Sequence, residues 1–179
     1  MKREKKVFTN AQEVVQKWTY QNQESGRYRC RNISFEGKTL YSYSTAIASF
    51  IKSDVVLISR QRYSNATSKH QNLARFLLKD GIRKYYVRNC TAEYDSTHNS
   101  NIEDFMCRIK DYSNLFWKAR KYKERYFESC TGLVEILKDY CKEFSLTQPI
   151  LLSEEVISIN PKAEEIVFLQ RTTRKLLGE

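Results

Sequence analysis

Four potential cations lie close together in one short segment, RQRYSNATSKHQN: Arg60, Arg62, Lys69 and His70. Ser68 and Gln71 have the spacing of a capping box, which predicts a helix over residues 68–80 with Lys69 and His70 in its first turn. The unbonded N–H groups of a helix start attract anions, and arginine side chains can fork onto a phosphate. The segment therefore predicts a phosphate site formed by these four cations and Ser68.

The same segment allows two other interpretations of His70. Metal-free RNA cleavage needs a base for the 2′-hydroxyl and an acid for the leaving oxygen, and His70 could serve with His98, or with Tyr63 and Lys69. Alternatively, Thr67 and Ser68 only cap a helix while the cations point into water. All three interpretations remain open at the level of the sequence.

The net charge of the protein favours a polyanionic partner for its first half. The 179 residues contain 31 Lys and Arg against 21 Asp and Glu, giving +10. Residues 1–90 hold 18 cations and 6 acids, whereas residues 91–179 hold 13 and 15. An excess confined to one half indicates a nucleic acid, a nucleoprotein or an anionic surface as partner, the alternative being a basic surface kept for solubility.

The first half predicts an α+β fold. Residues 11–21 have helical spacing of apolar side chains behind an Asn10/Glu13 capping box. Segments rich in Tyr, Ile, Val and Thr predict an antiparallel meander of four or five strands near 27–35, 39–44, 46–51, 55–60 and 82–90. The helix over 68–80 should pack on this sheet through Leu73, Phe76 and Leu77.

Arginines alternate with other residues in the first predicted strand. Arg27, Arg29 and Arg31 would share one face about 6.6 Å apart, because side chains of a strand alternate between its two faces. A bound polyanion would relieve their repulsion, and a plain solvated face is the alternative. We count these three arginines among the candidate nucleic-acid contacts.

The second half is predicted to be mostly helical. We place a basic domain at residues 1–90, a polar linker near 91–100 and a helical domain or extension at 100–179. The first of its helices should begin behind a Ser100/Glu103 capping box and continue into the segment WKARKYKERYF. On that helix Lys118, Lys121 and Arg125 would form a second basic patch.

The remaining composition excludes several classes of site. Five cysteines are scattered without a C-x-x-C pair, so they are expected to be reduced, with no disulfide framework, metal site or cofactor. There is no phosphate-binding glycine loop and no nucleophile-elbow motif. No apolar run approaches the roughly 18 residues that span a membrane, which predicts a cytoplasmic protein of a host cell.

Two linked segments carry a resemblance. FEGKTLYSYSTAIA and VVLISRQRYSNATSKHQ share Glu36-Gly37, Leu40-Tyr41-Ser42-Tyr43, Tyr63-Ser64, Thr67-Ser68 and His70-Gln71 with a small domain found in phage and mobile-element proteins. Such proteins are often inhibitors of host defence. The resemblance implies an anti-CRISPR protein that binds a type II RNA-guided nuclease or its nucleic acid.

The resemblance and the charge together predict an inhibitor that binds a nucleic-acid-containing defence complex without catalysis of its own. Two other classes stay open. One is a metal-independent ribonuclease that uses His70 to cleave an RNA such as a guide RNA. The other is a DNA-binding regulator, although no helix-turn-helix pattern is evident.

Overall fold

The computed structural model describes residues 5–91 and 95–149. Two compact units divide the chain, Met1–Asp104 and Phe105–Glu179. The first contains a seven-stranded sheet, and the later part of the chain is helical. The predicted α+β fold class is therefore confirmed. The predicted strand or irregular segment at residues 150–159 and the final helix beyond it lie outside the described residues.

The sheet follows the order of the chain from edge to edge. Its elements, with the two helices of the first unit, are β1 (Val7–Phe8), α1 (Ala11–Tyr20), β2 (Ser25–Tyr28), β3 (Ile33–Glu36), β4 (Thr39–Ser42), β5 (Thr45–Lys52), β6 (Val55–Ser59), α2 (Asn65–Leu77) and β7 (Arg83–Val87). Pairs from β2 to β6 are antiparallel, as the short predicted turns require. The two outer pairs, β1–β2 and β6–β7, are parallel because a helix lies between their strands.

Both helices of the first unit pack on one face of the sheet. α1 begins as predicted, with the Asn10 side chain accepting a hydrogen bond of 2.8 Å from the Glu13 N–H. Trp18 is fully buried, with its ring centroid 4.9 Å from that of Phe50 and its indole N–H donating to the Lys38 carbonyl at 2.8 Å. The shared core joins apolar side chains from α1, α2 and the strands: Val14, Val15, Trp18, Ile33, Phe35, Leu40, Val56, Ile58, Ala74 and Leu78.

The start of α2 differs from the prediction. The helix begins at Asn65, and Ser64 is its N-cap, with its hydroxyl accepting from the Thr67 N–H at 3.3 Å. The predicted cap at Ser68 is wrong. Ser64 and Ser68 both precede a polar residue by three positions, and the earlier start wins because it turns Thr67 towards β4, where its hydroxyl meets that of Ser42.

The predicted packing of α2 is also partly wrong. Phe76 is 83% exposed, whereas Leu73 and Leu77 are partly buried against the core. The face that meets the sheet is polar in its first half, where Thr67, His70 and Gln71 are buried, and the apolar pattern alone did not identify that face.

Two helices make up the rest of the described chain, α3 (Asp95–Lys118) and α4 (Lys123–Glu143). The polar loop predicted to extend to residue 101 is wrong from Asp95 onwards, and Ser100 lies inside α3 rather than at its cap. Asn101 explains this, since its side chain is buried and exchanges two 2.8 Å hydrogen bonds with the backbone of Asn89. In the second unit Phe105 packs near Tyr140 at 5.6 Å between ring centroids.

Candidate nucleic-acid interface

Strand direction brings distant arginines to one end of the sheet. β1, β2, β4, β6 and β7 all finish at this end, and both α1 and α2 begin there. The connections at this end carry five arginines: Arg29, Arg31, Arg60, Arg62 and Arg88. The described residues of these connections, 9–10, 29–32, 43–44, 60–64 and 88–91, contain no Asp or Glu, and Glu93 follows in the sequence before the start of α3. We call this surface the arginine end.

The arginine end is wide enough to contact several phosphates. Neighbouring strands lie about 4.8 Å apart, so the five steps from β2 to β7 place Arg29 and Arg88 roughly 24 Å apart before twist is considered. Phosphates follow each other about every 3.4 Å along the axis of one DNA strand. The row of cations therefore matches an extended anion better than a single small one.

The start of α2 adds positive potential to the arginine end. The first N–H groups of a helix have no partner within it, and the first turn of α2 contains no acid. Arg62, just before this turn, is exposed and makes no ion pair with any residue in the described ranges. α1 differs, because its first turn holds Glu13, whose pKa is lowered by the Thr9 N–H and by Lys5.

Arg60 is already engaged with a carboxylate. Its Nε and one terminal nitrogen donate to the two oxygens of Asp104, both at 2.8 Å, and only 11% of the Asp104 side chain is exposed. Asp104 belongs to the part of α3 that lies in the first unit. Arg60 therefore holds the start of α3, and the fork that was predicted to bind phosphate is occupied within the protein.

His70 lies in the interior instead of the predicted first turn. It is 8% exposed, and its Nδ1 is 2.8 Å from the Ser42 hydroxyl. The Ser42 hydroxyl also donates to the Thr67 hydroxyl at 3.1 Å. Burial lowers the pKa of His70, which favours the neutral ring. The imidazole therefore links α2 to β4 through Ser42.

The earlier start of α2 also changes the positions of two other predicted phosphate contacts, Ser68 and Lys69. Ser68 is half-buried, and its N–H donates to the Ser64 carbonyl at 2.9 Å, so it is the first N–H bonded within the helix. Lys69 is exposed one turn further along than predicted. The phosphate cradle predicted around Ser68, Lys69 and His70 therefore does not form, and the unbonded N–H groups are those of Asn65 and Ala66.

The three arginines near β2 do not share one face, contrary to the prediction. The strand ends at Tyr28, and Arg31 has φ 57° in the following turn. Arg27 stays in β2, in register with Ser34, and lines a shallow concavity of about 330 Å³. Arg29 and Arg31 belong to the arginine end instead.

The second basic patch is not continuous. α3 ends at Lys118 and α4 begins at Lys123, with Tyr122 in the left-handed region at φ 60° between them. Lys121 lies in this break and Arg125 in the first turn of α4. The prediction that Lys118, Lys121 and Arg125 share one helical face is therefore wrong.

Residues of the two resembling segments support the connection that carries Arg60 and Arg62. The Gln71 side chain donates to the carbonyls of Ser59 and Gln61 at 3.0 and 3.2 Å. The Tyr63 hydroxyl donates to the Gln61 side chain at 3.1 Å. This connection is thus held by a side chain of α2 and by a contact between two of its own residues.

Sequence reasoning missed Arg88 and Tyr43. Arg88 follows β7, and the Arg60 N–H donates to the neighbouring Val87 carbonyl at 2.9 Å, which fixes the two chain ends side by side. Tyr43 lies in the turn between β4 and β5. Both residues fall inside strands predicted over 39–44 and 82–90, and only the observed strand ends at Ser42 and Val87 place them at the arginine end.

Comparison with known proteins identifies the first unit's family. A family described as one of unknown function, DUF8033, matches residues 1–95. The chain belongs to this family. No curated protein matches the chain, and no solved structure does. The matched residues of this DUF8033 protein contain the whole arginine end, and their 18 cations and 8 acids carry a net charge equal to the +10 of the full chain.

Other sites find no support in the described residues. No three His, Cys, Asp or Glu side chains of those ranges are grouped to hold a metal ion. Cys90, Cys130 and Cys141 are buried, and burial raises the pKa of each thiol, that of Cys90 to about 11. Within the same ranges no helix is both long and apolar enough to cross a membrane.

Proposed function

We propose that the first unit binds nucleic acid through the arginine end, without catalysis of its own. The observation that carries the proposal is the convergence of five arginines on connections whose described residues contain no acid. Like charges gathered at one surface repel one another, and a polyanion that neutralises them gains free energy by releasing its counterions.

The arginines divide into two roles under this proposal. Arg29, Arg31, Arg62 and Arg88 contact phosphates, since none of them forms an ion pair with a described residue. Arg60 positions Arg62 by holding the connection against Asp104. Contacts to phosphate carry no sequence information, so binding should depend little on base sequence.

The test is fluorescence anisotropy of a labelled 20-nucleotide oligonucleotide, titrated at several salt concentrations. The variant Arg62→Gln/Arg88→Gln should bind about tenfold more weakly or worse at low salt. Its plot of log affinity against log salt should be flatter by between one and two units, since roughly 0.7 to 0.9 counterions are released per phosphate neutralised. The matched control is Lys17→Gln/Lys38→Gln, which removes the same charge at the other end of the sheet.

The outcome of the control decides the proposal. Lys17 and Lys38 are exposed and lie where α1 ends and β3 turns into β4. If both double variants lose affinity and salt dependence equally, the general charge of the unit is responsible and the arginine end is not the interface. Absence of binding by the parent protein would overturn the proposal altogether.

A wider role belongs to the same proposal and is supported only by the resemblance to small phage and mobile-element proteins. The protein would inhibit a host RNA-guided nuclease by binding its guide RNA or displaced DNA. Adding the parent protein should then reduce target cleavage by such an effector, while Arg62→Gln/Arg88→Gln should reduce it much less. Equal inhibition by the parent and the double variant would mean that inhibition does not depend on the arginine end.

A further inference from the structure

Tyr43 occupies an unusual position at the centre of the arginine end. Ser42 pairs with Thr45, so the turn between β4 and β5 consists of Tyr43 and Ser44 alone. Tyr43 has φ 56°, a conformation that such short turns usually assign to Gly, Asn or Asp. A bulky aromatic side chain in the left-handed region is uncommon and costs conformational energy.

Nothing in the described part of the protein accounts for the tyrosine ring. Its residue is 56% exposed, and the ring has no aromatic, cationic or hydrogen-bonding partner among the described residues. An asparagine would form the turn at lower cost. More than half of Tyr43 is thus exposed, on a backbone conformation that favours Gly, Asn or Asp.

Hydrogen bonds on both sides place Tyr43 between cations. The Tyr43 N–H donates to the Asn32 carbonyl at 2.9 Å, which puts the tyrosine beside the residue that follows Arg31. On its other side, the Ser42 hydroxyl meets Thr67 in the first turn of α2, just beyond Arg62. An exposed ring thus lies between two groups of phosphate-binding candidates.

We propose that Tyr43 is a stacking platform for a base, which makes the preferred ligand a single-stranded nucleic acid. This inference rests on the proposed function. Bases of a single strand expose their faces to an aromatic ring while cations hold the flanking phosphates. In a duplex those faces are covered by the neighbouring base pairs, and a tyrosine at the surface cannot reach them without opening the helix.

The experiment compares three labelled probes of one sequence: single-stranded DNA, single-stranded RNA and blunt duplex DNA. The variant Tyr43→Asn removes the ring and suits the positive φ, so it should fold at least as stably as the parent. It should bind both single strands about 5- to 150-fold more weakly, since stacking on one aromatic side chain contributes about that factor. Its salt slope should stay unchanged, because no charge is lost.

Two further variants separate stacking from other effects. Tyr43→Trp should restore or exceed parental affinity for single strands, because tryptophan offers a larger ring. Phe76→Asn removes another exposed aromatic residue, at the far end of α2, and should leave affinity unchanged. Affinity for the duplex should be the same for the parent and Tyr43→Asn.

The outcomes distinguish this inference from the proposal on which it rests. If Arg62→Gln/Arg88→Gln weakens binding and flattens the salt slope while Tyr43→Asn binds single strands as the parent does, the stacking role alone is wrong. The same conclusion follows if the parent binds duplex more tightly than single strands. If the parent binds none of the probes, both statements fail.

Discussion

The two ends of the sheet in the first unit differ in the charged residues that their connections carry. Connections at the arginine end hold five cations and no acid among their described residues, whereas those at the opposite end, residues 21–24, 37–38, 53–54 and 78–82, hold two lysines and three acids. Glu36, at the end of β3, adds a fourth acid there, and Lys52 and Arg83, at the ends of β5 and β7, add two cations. One end is close to neutral, and the other concentrates the charge that gives this family region its net +10.

The contrast extends to the ion pairs. At the opposite end Arg83 donates to Asp54 at 2.9 Å, and this hydrogen bond lowers the pKa of Asp54, but both side chains remain about half exposed. At the arginine end Arg60 pairs with Asp104, and only 11% of the Asp104 side chain is exposed. The Arg83–Asp54 pair is a surface feature. The Arg60–Asp104 pair fixes the backbone of the connection that also carries Arg62.

The largest expected effect on stability tests this difference in pairing. Arg60→Ala leaves a nearly buried carboxylate without its two hydrogen bonds, so the free energy of unfolding should fall by about 1–3 kcal/mol. Arg83→Ala should cause no resolvable change, because water replaces an exposed partner. Urea denaturation of the full chain measures both.

Arg60→Lys provides the control for charge alone. It keeps the cation but cannot form the two-pronged contact, so its stability should lie between those of the parent and Arg60→Ala. Equal losses for Arg60→Ala and Arg83→Ala would mean that the two ends pair their charges in the same way, and the comparison would be wrong in this respect.

Sequence patterns predicted local features of this fold better than its surface. Segments rich in β-branched and aromatic residues predicted β4 to β7, and the Asn10/Glu13 spacing predicted the start of α1, because both depend on neighbours in the chain. The strand predicted over 27–35 is instead two strands, β2 and β3, and β1 was not predicted. The arginine end depends instead on strand direction. Arg31 and Arg60 meet on one surface because β2 and β6 run the same way, which no local pattern encodes.

Each wrong prediction has a specific structural cause. Ser68 was predicted as the cap because Gln71 completes a capping box with it, whereas the observed cap is Ser64, whose hydroxyl accepts from the Thr67 N–H. Phe76 was assigned to the core because the true inward face of α2 is polar where His70 and Gln71 lie. Arg60 was placed in the interface because its partner, Asp104, is 44 residues away in the sequence.

A medium effect tests which serine begins the helix at the arginine end. Ser64→Ala removes the side chain that accepts from the Thr67 N–H, so the free energy of unfolding should fall by about 1 kcal/mol. Ser68→Ala should cost much less, because its N–H is already bonded to the Ser64 carbonyl within the helix. Urea denaturation under the same conditions compares the two, and a larger loss for Ser68→Ala would restore the later start.

The smallest effect has opposite signs at the two ends. Arg62 stands before the positive end of the α2 dipole, without an acid nearby in the first turn, so its charge should oppose folding. Lys17 lies in the last turn of α1, where a cation is favourable. At low salt, Arg62→Gln should raise the free energy of unfolding by about 0.3–1 kcal/mol, and Lys17→Gln should lower it by a similar amount. Both differences should shrink in about 1 M salt, where the screening length falls to roughly 3 Å.

Loss of stability in Arg62→Gln would mean that this arginine supports the fold. A gain in stability together with weaker nucleic-acid binding would instead show a cation kept at a cost to the fold because its ligand requires it.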